Sequence, residues 1–264
     1  MRRALRLLRL QLRTSFLVAA QYRWEFLLEG VLSLLWAATA LAPLFVVYGG
    51  SSVHGIPAWS LEESLVVTSW FILLQGVLEG AINPCLEAIV DHIRKGTLDF
   101  VLLKPADAQF LVSTARFELW RVTNVVAALV VMGVAFHRLE RWPSIPGVAE
   151  ALLLLATASV ILYSLWILIV SLAFRVVKVD NLTYLFTSIF DAARWPSSVY
   201  RGVVAVVFTF VIPLALMTTA PAEALLGRLE LASLGFGVLG AAVFSFLARQ
   251  MWLRTLRLYT SASS

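Results

Sequence analysis

The chain has 264 residues, of which 60% are hydrophobic and only 14% charged, with a mean hydropathy of +0.87. A water-soluble domain of this size needs more polar surface than that, so the chain reads as an integral membrane protein. The net charge of +5 then describes a membrane-leaflet surface rather than a nucleic-acid site, because the basic residues do not gather on a soluble domain.

In chain order, residues 1–24 come first. Arg2, Arg6, Arg9 and Arg13 recur at helical spacing, with Leu5, Leu8, Leu12 and Phe16 on another side. Arg13, Arg23 and Glu25 interrupt before any long apolar run, which excludes the apolar h-region of a signal peptide. The pattern predicts an amphipathic helix lying in the membrane interface, with its arginines toward anionic headgroups.

Six apolar runs long enough to span a bilayer follow, at residues 26–48, 61–82, 122–137, 149–174, 202–220 and 231–248. These continuous blocks predict an all-α polytopic fold and argue against a β-barrel of short alternating segments. With the amino terminus in the cytoplasm, 18 of the 21 basic residues fall inside, Arg175, Lys178, Arg194 and Arg201 among them, and only Arg138, Arg141 and Arg228 fall outside. That imbalance supports an even number of crossings and places both termini in the cytoplasm. The external loops, 49–60, 137–147 and 221–228, are short, and Trp59 and Trp142 stand where aromatic rings anchor at the headgroups.

The longest internal connection is 83–121, and within it Asp91-His92-Ile93-Arg94-Lys95-Gly96-Thr97-Leu98-Asp99 leads into Phe100-Val101-Leu102-Leu103-Lys104-Pro105. Its apolar stretch is too short to span and too apolar to hang in water, so it is expected in the interface or under another subunit. The pattern predicts a short helix from Asn83 or Pro84, parallel to the membrane and stopped by Gly96. Motion of a soluble partner against such an element would tilt the second and third spans together.

Polar residues in or near the spans are few. Glu79 and Asn124 are the candidates for a translocation path or a helix contact, and Thr123 for an interhelical hydrogen bond. Glu25 and Glu29 are assigned to the inner boundary of the first span. Asp191 and Arg194 are spaced for a helical salt bridge. Gly76, Gly80, Gly235 and Gly240 read as close-packing positions. His54, His92 and His137 fall on different loops, which argues against a shared metal site. The single cysteine, Cys85, allows no intrachain disulfide.

Enzyme readings are weak. Asp191-Ala192-Ala193-Arg194 matches part of a phospholipid head-group transferase signature, but Asp180 is its one nearby aspartate and lies upstream. No Ser/His, paired-Asp or His-Glu-x-x-His constellation occurs within the spans, so no catalytic residues are assigned.

The order of a basic amphipathic start, two spans, the 93–105 segment and four more spans resembles the membrane subunit of a type 2 ABC exporter, in its bacterial six-span branch. Arg194–Tyr200, Ile212-Pro213-Leu214-Ala215 and the tail Trp252–Ser263 carry the same likeness. The resemblance implies a permease in a bacterial inner membrane, with Asp91–Asp99 as a coupling helix region contacting a separate ATPase. The chain has no G-x-x-x-x-G-K-[ST] phosphate cradle, so ATP and Mg would sit on the ATPase partner and no cofactor on this chain. Six spans make half of the implied assembly, which calls for a second permease copy or a related permease. The alternative is an ion-driven carrier, with a charged or helix-broken pair near the midplane as its signature, or another multispan membrane protein without an ATPase partner.

Overall fold

A computed structural model describes residues 2–49, 55–173 and 187–258. His54, Arg175, Lys178, Asp180 and the Tyr259–Ser263 end of the tail lie outside the described residues. Among the described residues the fold is all-helical, with five helices long and apolar enough to cross a membrane and one further bent pair.

Helix α1 spans Arg2–Gln21 and α2 Arg23–Gly49. As the periodicity predicts, Leu5, Leu12 and Phe16 face outward from the protein, a face suited to the acyl boundary. A second stripe on α1 had no part in that expectation. Gln11 and Ser15 dock on residues 111–117, where Gln11 Nε2 donates to the Leu111 carbonyl (3.3 Å), Thr114 Oγ1 to Gln11 Oε1 (2.6 Å) and the Phe117 amide to Ser15 Oγ (3.1 Å).

Helix α3, Leu61–Val77, is the axis of the bundle. Ser60 and Glu63 form a reciprocal capping box at its start, and residues 64–74 are all buried. A helix apolar all round belongs in such a central position. A π-helical turn, Leu78–Ile82, passes α3 directly into α4, Asn83–Arg94, and the whole forms one unbroken helix of 34 residues. Here the structure differs from the separate, membrane-parallel helix expected at Asn83. Pro84 has no amide proton to give the Gly80 carbonyl four residues back, and that carbonyl accepts the Glu118 amide instead (2.8 Å), so the continuous helix accommodates the proline at its π-turn.

Short helices α5, Asp99–Leu102, and α6, Ala108–Ser113, lead to α7, Val122–Arg138. Helix α7 runs antiparallel to α3 at close range. A methyl group on Gly76 would meet Asn124 Cβ at 3.2 Å, and one on Gly80 would meet Arg121 Cβ at 3.2 Å, which bears out the close-packing reading of both glycines. The Ser33 and Thr123 hydroxyls hydrogen-bond between α2 and α7 at 2.6 Å, a contact worth roughly 0.6–2 kcal/mol in a membrane.

Helix α8 covers Ile145–Ala173 and α9 Leu231–Leu258. They lie side by side in the same direction, with Gly237 against Leu154 and Ser164 against Ser245. Gly235 faces open space and Gly240 makes only ordinary contact with Ile161, so the tight position on this helix is Gly237. One end of the bundle, the basic end, collects α1, residues 83–121 and Arg249. The far end carries Tyr48, Trp59 and the starts of α3, α8 and α9.

The stretch 202–220 is bent rather than straight. Its residues form two helical arms, Gly202–Val211 and Ala215–Leu225, bent by 66°. Ser197 N donates to Thr219 Oγ1 (3.0 Å), so the first arm starts beside the second in the far half. Ile212 and Leu214 reach the core around Phe71 and Phe190, and Ala224 returns to the start of α8 beside Gly147. Pro213 breaks the helix at the turn because it has no amide proton and its ring clashes with the preceding turn. Arg194 is already in the far half, since its carbonyl accepts from Thr68, seven residues along α3 from Leu61. Arg194, assigned to the cytoplasm by its charge, thus lies half-buried in the far half, and Arg201, assigned likewise, is exposed just beyond the Ser197–Tyr200 turn that docks on Thr219. Trp59 also differs from its reading as a headgroup anchor: it is buried, with the Arg228 guanidinium 4.0 Å above its ring, whereas Trp142 is exposed.

Candidate translocation and coupling site

The basic end is built around the stop of α4. Gly96 has φ +65°, a left-handed conformation that favours glycine. The Gly96 amide donates to the Ile93 carbonyl (3.2 Å) and the Thr97 amide to the His92 carbonyl (2.9 Å), the pair of bonds that defines a Schellman cap. His92 Nδ1 and Thr97 Oγ1 close the same turn at 2.7 Å, and Lys95 pairs with Asp91 at 3.1 Å on the exposed side. Leu98 then plugs into the core with 0% exposure and Val101 follows it, whereas Phe100 is 69% and Leu103 81% exposed. The segment 91–105 is thus pinned from below and apolar on top. Asp91, Arg94 and Lys95 stand exposed around it, and Ile93 and Asp99 are half-buried.

A neighbouring network was not anticipated from the sequence. Arg249 Nη2 meets Asp107 Oδ2 at 2.7 Å and Arg249 Nη1 donates to Gln109 Oε1 at 2.8 Å. Gln109 Nε2 donates to the Tyr163 hydroxyl (2.9 Å), which also meets Ser113 Oγ (2.7 Å). These bonds fasten α6 to α8 and α9. Burial raises the Asp107 carboxyl, but the Arg249 hydrogen bond, the Phe110 and Gln109 amides and the Arg249 charge together bring it below its ordinary value of 3.8. A lowered carboxylate stabilises the fold above the ordinary value and loses that contribution as pH falls through the folded one. The pair is partly exposed, so the contribution is at most about 1 kcal/mol. Asp107→Asn is expected to remove the fall in thermal midpoint attributable to this pair below about pH 3.8, as read by melting curves of the purified protein between pH 7 and pH 3.

Within the spans, Glu79 forms an ion pair with Arg121, and Gln75 Nε2 donates to Glu79 Oε1 at 3.0 Å. Glu79 therefore pairs with the start of α7 and not with the 91–99 segment. Phe71, Gln75 and Glu79 stand at i, i+4 and i+8 on one face of the helix. With Ser33, Trp36 and Ala40 of α2 they line a cavity of about 260 Å³ that also takes in Asn124, Asp191 and Arg194. Asp191 and Arg194 make the expected pair, 3.5 Å apart, although in a 3₁₀ turn inside the bundle. Asn124 is 4% exposed, and its side-chain carbonyl finds no hydrogen-bond partner among the described residues. The structure thus brings both path candidates, Glu79 and Asn124, to one cavity.

A second cavity, of about 470 Å³, lies between α1, α2 and Ala115–Trp120 and includes Glu25 and Glu29. Burial pushes the Glu118 carboxyl beside it above the usual range, against the pull of Arg116 and Arg121. Among the described residues no group of three or more His, Cys, Asp and Glu side chains is placed to hold a metal ion. His92 and His137 stand at opposite ends of the bundle.

A multi-pass helical protein with a capped loop at one end and a charged cavity inside the bundle has the build of a transporter. Comparison with protein families gives a match over residues 34–263 to the family described as ABC-2 family transporter protein. The chain belongs to that family, and it is a type 2 ABC permease, a membrane component of an ABC transporter. A comparison with curated proteins gives no match.

Proposed function

We propose that the chain is the permease of an ABC exporter, forming half of a translocation path and driven at Asp91–Leu103 by a separate ATPase subunit that holds ATP and Mg. The second half is another copy or a related permease. The observation that carries this reading is the unbroken helix Leu61–Arg94, which joins the buried centre of the bundle to the capped loop at the basic end. A push on that loop moves α3 directly, and moves α7 through Glu79–Arg121 and the Gly76 and Gly80 contacts. ATP-driven closure of two ATPases supplies such a push if their contact differs between the two states of the permease.

The excess of basic residues at the end holding α1 and 83–121 supports placing that end, with both termini, in the cytoplasm of a bacterial cell. Among the described residues, and without Arg194 and Arg201, 14 of the 19 basic residues stand toward that end, still strongly one-sided. The exposed outer faces of α1, α2 and α9 fit lipid contact.

One observation favours the ion-driven alternative, namely the two charge pairs within the bundle. Both are pairs of opposite sign, however, which neutralises the spans without any ion passing. Reconstitution in vesicles separates the readings: transport that needs the ATPase subunit and ATP fits the proposal, and transport by the permease alone under an ion gradient overturns it.

A further inference from the structure

The cavity at Asn124 carries an inference that rests on the permease reading and gives the bound molecule a chemical class. Its walls pair opposite charges at two heights: Glu79 with Arg121 near the basic end, and Asp191 with Arg194 farther in. Between them stands the Asn124 carbonyl, buried and without a hydrogen-bond donor. A buried acceptor in an apolar bundle is costly unless something donates to it. Each pair offers a carboxylate to an ammonium or hydroxyl donor and a guanidinium to an anion, and the Asn124 carbonyl adds an acceptor between the two pairs. Ligand cavities for whole drug-sized molecules run upward from roughly 300 Å³. At about 260 Å³ this one suits a head group, with the rest of the molecule outside. Trp36 and Thr39, both exposed, form the rim toward the apolar surroundings.

We infer that this cavity binds the zwitterionic head group of an amphiphile, its cationic end on Asn124 and Glu79 and its anionic end on Arg194, with the apolar tail leaving past Trp36. The same head group occurs on single-chain amphiphiles and on two-chain membrane lipids.

The test uses the full chain purified in a non-ionic detergent, without an ATPase, so its outcome does not depend on the coupling proposal. Binding of lysophosphatidylethanolamine, lysophosphatidylglycerol and monoolein is measured by native mass spectrometry, and two-chain phosphatidylethanolamine is added as a competitor. The zwitterionic probe is expected to bind at least tenfold more tightly than the other two. Asn124→Leu and, separately, Arg194→Gln are each expected to erase that preference while Asp107→Asn keeps it. Displacement by the two-chain lipid assigns the site to a membrane lipid, and failure to displace assigns it to a single-chain amphiphile. Equal binding of the three probes, or a preference unchanged in both cavity variants, overturns the inference. Thermal melts identify a variant that does not fold, and the other then decides.

Discussion

Under the proposed coupling, Phe100→Asp together with Leu103→Asp is expected to release the ATPase subunit from the permease while leaving the permease folded. Both side chains are largely exposed at the end of a loop that is otherwise anchored, so replacing them removes little from the fold. At an interface, truncating central apolar anchors costs about 2 kcal/mol or more each. Neighbouring anchors are not additive, and even a combined loss of about 3 kcal/mol weakens binding more than a hundredfold. Pull-down of the ATPase by tagged permease reads the loss directly, with the melting midpoint of the permease unchanged. Leu98 is the internal contrast. It is fully buried beneath the same loop, and truncating it acts on the fold, at about 2–5 kcal/mol for a buried leucine. If the aspartate pair retains the ATPase at full affinity, the apolar top of the loop is not the docking surface.

The second large effect is expected at Arg121. Removing it by Arg121→Ala leaves the Glu79 carboxylate without its counter-ion in a site where both side chains are about four-fifths buried. Breaking a buried pair from one side costs about 3–5 kcal/mol, because the remaining charge stays desolvated. The purified variant is expected to melt well below the parent, and adding Glu79→Gln is expected to restore most of the loss. That recovery distinguishes an orphaned charge from lost packing of the arginine stem, which the second substitution does not repair. Arg121 also lies 3.8 Å from the Trp120 ring, so a small residual deficit in the double variant fits the same mechanism.

Much of this fold is written in local patterns. Unbroken apolar runs require helices in lipid, since each backbone polar group must be satisfied within its own segment. Gly96 after a basic helix end marks a cap, and the structure gives it a left-handed φ and both cap hydrogen bonds. Gly76 and Gly80 at a four-residue spacing mark a helix contact. The parts it does not show depend on where segments bend and meet. Hydropathy measures length and apolarity, and the arms Gly202–Val211 and Ala215–Leu225 have enough of both for one span without revealing the 66° bend between them. Pro213 is the local signal of that bend. Arg194 was placed by its charge alone, although an arginine paired with Asp191 and lying 5.6 Å from the Phe71 ring is held within the bundle.

The candidate site divides along the same line. The 91–105 loop is contiguous, so its polarity and breaks stood out. The Asp107–Gln109–Tyr163–Arg249 network joins residues from three separate parts of the chain, and no sequence spacing encodes it.

Cross-linking of a Leu103→Cys permease to its ATPase subunit, with ATP hydrolysis followed in the same complex, tests coupling through the 91–103 loop most directly. The expected result is a cross-link that depends on nucleotide, and hydrolysis that falls when Asp91→Ala and Arg94→Ala are combined in the permease. A permease that associates with no ATPase at all, or hydrolysis indifferent to this loop in a stable complex, contradicts that coupling.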